Sequence, residues 1–455
     1  MNKIISTALA ALALSGCGLY SKYERPQDLP TDALYTEQTR AEADSLSIAS
    51  LKWQEFYADP KLQELISTAL TSNNNFRATQ LRIAQSEAQL SAARKAFLPS
   101  LALAPQASLT SIDGAKAVQS YQIPLTASWQ VDIFGSIRNA KKRAEVALLN
   151  SQVYRQAVQS QLVASVANAY YTLALLDAQI GVSRQAITLA SESVRTMRAM
   201  MQAGRANDAA VSSSEANLAQ QEVTLLGLEQ QRRATEGSLN LLLGRTQIAI
   251  DRATIDSWTA PQSLSVGLPI RLLNNRPDVR QAELALASSF YATNTARAAF
   301  YPSLTLSGSL GWTNNGAKLF TDPAKVLASA MASLVQPIFQ RGQLRANLKV
   351  AEAQQEEAKL SFVQALLSAG NEVNTRFSEV QTYRAQAQHL RKRTEALQRS
   401  EKATRLLMES GASTYLEVLT AQQGLIAAQL AEYTNRYNEI ASTIALYQAL
   451  GGGIE

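Results

Sequence analysis

Residues 162–201 read LVASVANAYYTLALLDAQIGVSRQAITLASESVRTMRAMM. In alternating steps of four and three, Leu162, Val166, Ala169, Leu173, Leu176, Ile180, Ser183, Ile187, Ala190, Val194, Met197 and Met201 fall on one stripe, and only Ser183 is clearly polar. That is a heptad seam, the mark of a helix that supercoils against neighbours. The helical character extends back to Ile137 and on to about Gln202, with Gly181 as its single glycine and no proline. At ~1.5 Å per residue, roughly 65 residues make a rod on the order of 100 Å long. A rod of that length does not fit inside a globular core.

The chain of 455 residues is 46% hydrophobic but only 18% charged and 6% aromatic, a balance that suits alanine-rich helix packing. No run of about 20 apolar residues occurs, so no membrane-spanning helix is expected. The net charge is +6, yet Lys and Arg are scattered among acids, which argues against nucleic acid as a partner. At the N-terminus Lys3 precedes the apolar stretch Ile4 to Leu14 and then Leu14-Ser15-Gly16-Cys17, a secretory signal ending in small residues. It resembles a bacterial lipoprotein signal, in which residues 1–16 are removed and the sulfur of Cys17 carries a lipid. Cys17 is the only cysteine, so a disulfide within the chain is excluded. Gly18 stands where inner-membrane lipoproteins usually carry Asp, which implies sorting to the outer membrane. Residues 17–50, with Pro26 and Pro30, read as a lipidated, extended tether.

Helical patterns begin near Trp53 and run to Phe97, where Pro99 ends them. From Tyr121 to Ile133 apolar and polar residues then alternate strictly, a period of two that predicts a strand with one oily and one polar face. Leu101, Leu103, Ala107 and Leu109 form its weaker partner. The long helix follows, reverses at Gly204 and returns through Val211, Leu218, Leu225, Leu228, Leu239 and Leu242 to a cap at Leu243-Gly244.

That order repeats. Ala93 to Leu101 returns as Ala296 to Leu304, an offset of 203, and Gly204 returns as Gly411, Leu243-Gly244 as Leu450-Gly451, both at 207. Ile133-Phe134 matches Ile338-Phe339 at 205. So small a drift means duplication. The expected organisation is a first repeat over residues 51–245, a belt or linker over 246–268 and a second repeat over 269–455. In the second repeat Leu304 to Trp312 alternates, whereas Lys325 to Pro337 alternates poorly and is assigned as a strand from its place in the repeat.

Two amphipathic hairpins in an exported chain pose a physical problem. Every backbone amide in a bilayer must be paired, and four strands are far fewer than the roughly eight that close the smallest barrel. The strands must therefore be shared among copies, with oily faces toward lipid and polar faces toward a bore. The fold class expected is mainly α with membrane β: a long α-helical coiled-coil barrel, plus four strands per chain contributed to a shared outer-membrane β-barrel.

Several segments in sequence order now carry a resemblance: Tyr23-Glu24-Arg25-Pro26 behind the lipobox, Phe134-Gly135, Asn275 to Glu283 (NRPDVRQAE), Ala298 to Ser303 (AAFYPS), Pro337-Ile338-Phe339, Gly411 through Tyr415-Leu416-Glu417-Val418-Leu419, and Ala449 to Gly452. Together they make the chain resemble the TolC family of outer-membrane factors, in the lipoprotein branch that serves resistance-nodulation-division (RND) efflux pumps. The resemblance implies a homotrimer with a twelve-stranded barrel continuing into a twelve-helix barrel. It implies a periplasmic end closed at rest, with a periplasmic adaptor protein docking on hairpin tips that here carry Gly204, Arg205, Gly411 and Ala412, and an inner-membrane RND transporter beyond it. It places a constriction at Leu416, with Glu417 facing either the lumen or solvent, and Thr420 where relatives frequently have Asp. No cofactor is implied beyond the lipid on Cys17.

Enzyme readings find no support. His389, the sole histidine, lies amid Arg391, Lys392 and Arg393. No phosphate-binding glycine loop, metal-ligand cluster or nucleophile elbow occurs. Asp278 and Glu283 could be imagined as an acid/base pair, but they follow Pro277 as ordinary first-turn acids of a helix. Two other readings stay open at this point: the channel of a type I protein secretion system, and a lipid-anchored structural coiled coil. The sequence does not identify what is transported.

Overall fold

A computed structural model describes residues 21–31, 34–41, 47–111, 113, 117–246, 248–259, 265–267, 269, 272–313 and 325–454. The signal segment and Cys17 lie outside them. The principal elements are α1 (Pro60–Ser72), α2 (Asn74–Lys95), β1 (Ser100–Leu103), β2 (Gln106–Thr110), β3 (Val118–Val131), α3 (Ser136–Gln202), α4 (Asp208–Leu242), α5 (Pro277–Ala298), β4 (Ser303–Thr313), β5 (Lys325–Val335), α6 (Gln343–Glu409) and α7 (Tyr415–Ala449). The duplication is exact in helix length. α2 and α5 have 22 residues each, α3 and α6 have 67, and α4 and α7 have 35. No described helix is long and apolar enough to cross a membrane.

The chain divides into two compact units. The first comprises residues 1–29, 81–152 and 281–363 and holds the sheet. Its order is β1-β3-β4-β5, with β2 pairing on β3 beyond β1 and every pairing antiparallel. β1 and β2 are one strand interrupted at Ala104-Pro105, because both meet β3 in a single register, Ser100 opposite Ser128 and Gln106 opposite Gln122. The four expected strands are present, the poorly alternating Lys325–Val335 among them. In the second hairpin Ser303 faces Val335. The hairpins therefore superpose with Ser100 on Ser303 and Ser128 on Val335, offsets of 203 and 207. The Ile-Phe match at 205 is two residues out of this ladder, so it is a likeness of sequence and not of position.

Two local features mark β3, one just past its end and one within its joint with β4. Asp132, just past β3, accepts the N–H groups of Ile137 and Arg138 at 2.9 and 2.8 Å and so satisfies orphan donors at the start of α3. Within the joint Pro124 faces Gly311, and a Cβ on Gly311 would lie 2.4 Å from the Ile123 oxygen and 2.5 Å from Pro124 Cα. Only glycine permits that approach.

The second unit comprises residues 30–80, 153–280 and 364–455. Here the heptad seam of α3 is buried from Leu162 to Met197 except at Ala169 and Ile187, which are half-buried. Between Leu162 and Leu175 the off-seam residues Val163, Ala167, Tyr170 and Ala174 are buried too. They sink into a cluster with Trp53, Tyr57, Leu62, Ile66, Leu239, Ile250 and Ile255, so the belt and α1 cover a second face of the helix. The segment read as a tether is anchored where it is described. In the first unit Arg25 grips Glu283 through Nε and Nη2 (2.7 and 2.6 Å), with Tyr23 edge-on to Phe290. In the second unit Leu34 and Tyr35 are buried, and Asn374 donates to the Leu34 carbonyl at 2.9 Å.

Gly311→Ala is expected to destabilise the protein by about 1–3 kcal/mol, the usual cost of overpacking. Gly308→Ala, whose nearest neighbour would be at 3.3 Å, is expected to have a much smaller effect. Thermal melts of the purified full-length variants read the difference.

Candidate functional site: strand faces and hairpin tips

The sheet presents two chemically distinct faces. On one, the registers align Leu101, Leu103 and Leu109 with Ile123, Leu125 and Trp129, then with Leu306, Leu310 and Trp312, then with Val326 and Leu334. All of these large apolar side chains are exposed. On the other face lie Ser100, Gln106 and Ser108, then Ser120, Gln122, Thr126 and Ser128, then Ser303, Thr305, Ser307 and Ser309, then Ser329 and Ser333. Hydroxyl pairs cross this face at Ser108–Ser120 (2.7 Å) and Ser309–Ser329 (2.8 Å). An exposed apolar face of this extent marks a surface that water does not cover in the working state.

The tips are built alike. After α3, Gly204 takes φ +69° and donates to the Met201 oxygen (2.9 Å), while Arg205 donates to the Met200 oxygen (2.7 Å). After α6, Gly411 takes φ +81° and donates to Met408 (3.0 Å), while Ala412 donates to Leu407 (2.8 Å). Both are Schellman stops, which need a left-handed residue. Three residues beyond each glycine stands an N-cap: Asn207 accepts from Ala210 N–H (3.0 Å), and Thr414 accepts from Glu417 N–H (3.4 Å). Gly204, Arg205, Gly411 and Ala412 are all exposed.

At the second tip the cap is a full capping box, because Glu417 in turn accepts the Thr414 N–H at 2.9 Å. The Ser413 hydroxyl also donates to Glu417. These hydrogen bonds, first from Ser413 and then from Thr414, hold the Glu417 carboxyl below its ordinary value even though it is exposed. The threonine-x-x-glutamate spacing was legible in the sequence and is the signal that the lumen-or-solvent reading of Glu417 passed over. Leu416 is 69% exposed, and Thr420, also exposed, donates to the Leu416 carbonyl at 2.8 Å.

The two long hairpins of the second unit differ in their seams. The first, α3 with α4, buries Ile180, Ala186, Ala190, Val194, Met197 and Val211, with Ser183 and Ser214 as small polar exceptions. The second, α6 with α7, buries Val373, Phe377, Val380, Val418, Ala428, Ile440 and Ile444 together with the polar Thr394, Glu401, Gln422, Asn435 and Glu439. Glu439 is held by Arg384 at 3.2 Å and Arg436 at 3.3 Å, and Asn435 donates to the Tyr383 carbonyl at 3.0 Å. Thr394, Asn435, Arg436 and Glu439 border a cleft of about 620 Å³ lined by α6, α7 and Asp256.

The acids at the start of α5 have structural partners. Arg276 is buried and bonds Asp278 (2.6 Å), Glu372 (2.8 Å) and the Ala449 carbonyl (2.8 Å), which ties the start of α5 to α6 and to the end of α7. Burial alone would raise the Asp278 carboxyl, but the Arg276 guanidinium outweighs it and holds that group below its ordinary value. Glu283 is taken by Arg25. His389 is exposed on α6, and among the described residues no cluster of His, Cys, Asp and Glu could hold a metal ion.

Thr414→Ala should cost about 1 kcal/mol at the start of α7, seen as faster amide exchange over residues 415–418. Glu417→Gln should leave protection near the native level, since glutamine also completes the box, whereas Glu417→Ala should lose it. The carboxyl is depressed in the folded state, so its contribution is present at neutral pH and is lost only as pH falls below the ordinary carboxylate range.

Comparison with known proteins places this geometry. The family described as "Outer membrane efflux protein" matches residues 65–245 and 268–452. The chain is 30% identical to the toluene efflux pump outer membrane protein TtgF of Pseudomonas putida, over 99% of this chain and 96% of that one. It is 31% identical to the pyoverdine export outer membrane protein OpmQ of Pseudomonas aeruginosa, over 99% and 97%. Its fold matches the outer-membrane channel OprN with a TM-score of 0.86 at 24% identity, covering 95% of this chain and 99% of that one. The chain belongs to the outer membrane efflux protein family.

Proposed function

We propose that the protein is the outer-membrane conduit of a tripartite efflux pump, in which three copies, each anchored by a lipid on Cys17, share one β-barrel and one helical tunnel. The observation that carries this reading is the sheet, which has one exposed apolar face, one polar face and, among the described residues, no strand paired on the outer edges of β1–β2 and β5. In lipid such edges require partners, and three four-stranded contributions make twelve strands, enough to enclose a bore. The helices, ~100 Å long, extend the bore toward a periplasmic adaptor docked at the tips that carry Gly204, Arg205, Gly411 and Ala412, and beyond it an RND transporter. Transport through such a conduit is passive and requires no catalytic residue.

The polar seam of the second hairpin supports a gate at that tip. Toward the tips the first hairpin buries Val194, Met197 and Val211 whereas the second buries Glu401 and Gln422 beside Val418, so less apolar surface is exposed when α6 and α7 part there than when α3 and α4 do. Leu416, Glu417 and Thr420 then form the constriction, with three Glu417 carboxylates attracting cations at its mouth.

Full-length protein reconstituted in planar bilayers is expected to form cation-preferring channels. Glu417→Gln keeps the capping box and removes the charge, so it should lower both cation preference and block by divalent cations. Unchanged selectivity and block would remove Glu417 from the gate, and absence of any conductance from intact protein would remove the channel reading.

A further inference from the structure

We infer that the helical end of the sheet carries a basic collar that binds the phosphate headgroups of anionic phospholipids in the leaflet on that side of the membrane. The collar rests on reading the apolar sheet face as lipid-facing, and it adds a preference for one class of lipid.

The registers bring the same ends of the four strands together, with Ser100 opposite Ser128, Val131 opposite Leu304 and Ser303 opposite Val335. At this end α2 and α5 lead into the sheet and α3 and α6 leave it. The flanking residues 91–103, 131–146, 294–304 and 336–352 hold ten Lys and Arg against three Asp and Glu, whereas the whole chain is near balance at 43 against 37. The connections at the other end of the strands, residues 111–117 and 314–324, hold two of each. Positive charge is therefore concentrated on one side of the sheet.

The three acids are already engaged. Asp132 accepts the N–H groups at the start of α3, Glu145 is held by Lys142 at 2.7 Å, and Glu352 meets Arg297 at 3.3 Å. Arg94, Lys95, Arg143, Arg341, Arg345 and Lys349 are exposed and have no bonding partner among the described residues. Both copies of the repeat carry the pattern: Arg94 is equivalent to Arg297 at an offset of 203, and Arg138 to Arg345 and Lys142 to Lys349 at 207.

Along each connection an apolar or aromatic side chain stands between strand and cation. Leu98 is 64% exposed, Ile338 95% and Phe339 83%, and Phe134 stacks on Tyr301 with ring centroids 4.8 Å apart. Apolar face, aromatic layer and cations thus follow one another in the order of a leaflet's acyl chains, interface and phosphates. A zwitterionic headgroup carries its own cation beside the phosphate, whereas an anionic one leaves its charge to the protein, and each Lys or Arg near such a surface gains by it. Arginine also holds phosphate oxygens through paired N–H groups.

Two tryptophans on the apolar face report on opposite ends of the sheet. Trp129 donates to the Phe97 carbonyl at 2.9 Å, at the helical end, whereas Trp312 faces Ile123 toward the other. Full-length protein is reconstituted in phosphatidylcholine vesicles, and a rising fraction of the lipid is replaced by phosphatidylglycerol or phosphatidylcholine with brominated acyl chains. Fluorescence quenching is read from Trp312→Phe, which leaves Trp129 on the apolar face, and from Trp129→Phe, which leaves Trp312. The collar predicts that Trp129 is half-quenched at a fraction of brominated phosphatidylglycerol about five times lower than of brominated phosphatidylcholine. Trp312 should show no such difference, and about 1 M salt should remove it at Trp129. Combining Arg94→Gln, Lys95→Gln, Arg143→Gln, Arg341→Gln, Arg345→Gln and Lys349→Gln should also abolish the preference, whereas Arg391→Gln with Lys392→Gln and Arg393→Gln, three exposed cations farther along α6, should leave it intact. The salt comparison needs no change to the cations and so decides even where the sixfold variant fails to insert. Equal quenching of Trp129 by the two lipids, the same preference at Trp312, or a preference that persists in high salt overturns the collar and keeps the lipid-facing sheet. No quenching of either tryptophan by either lipid would overturn the lipid-facing reading itself.

Discussion

A backbone amide in lipid has no water to turn to, and this sheet leaves a row of them on each outer edge. That constraint organises the rest of the molecule. Within the chain β3 and β4 satisfy one another, and their apolar faces form one continuous surface from Leu101 to Leu334. The chain cannot satisfy β5 and β1–β2 by itself, because four strands do not bend far enough to meet. Ile338 and Phe339, three and four residues past the end of β5, are exposed as well.

Duplication is the economical answer to that constraint. One helix–hairpin–helix–helix unit, copied once, gives a chain whose two hairpins join in one continuous sheet. Equal helix lengths in the two copies preserve spacing, and the paired glycine stops at Gly204 and Gly411 place each reversal at the same point. Against this regularity, the difference between the seams stands out. Toward its tip the first long hairpin closes on Val194, Met197 and Val211, whereas the second sets Glu401 and Gln422 beside Val418, and farther along it buries Glu439, held by two arginines, with Phe377, Val380 and Ile440 also buried. The duplicated scaffold thus has a second hairpin that is the more polar toward its tip.

Much of this was legible in the sequence because it is periodic. The seam from Leu162 to Met201, the alternation from Tyr121 to Ile133 and the recurrence of AAFYPS and of the glycine stops each follow from a repeat that elementary geometry translates into an element. What escaped was non-periodic. The grip of Arg25 on Glu283 and the three-way bond of Arg276 join residues far apart in sequence, and no spacing announces them. The burial of Val163, Ala167 and Tyr170 depends on a belt with no pattern of its own. Pro124 against Gly311 is a contact between two strands whose register was unknown. The capping box at Thr414–Glu417 is local, and its threonine-x-x-glutamate spacing is readable in the sequence.

The central claim is that one chain is a third of a barrel, so the most direct measurement is the native mass of full-length protein extracted from outer membranes in mild detergent. The account predicts a particle of three chains, each beginning at an acylated Cys17. A monomeric mass that persists across gentle detergents would leave both sheet edges unpaired in lipid and would contradict it.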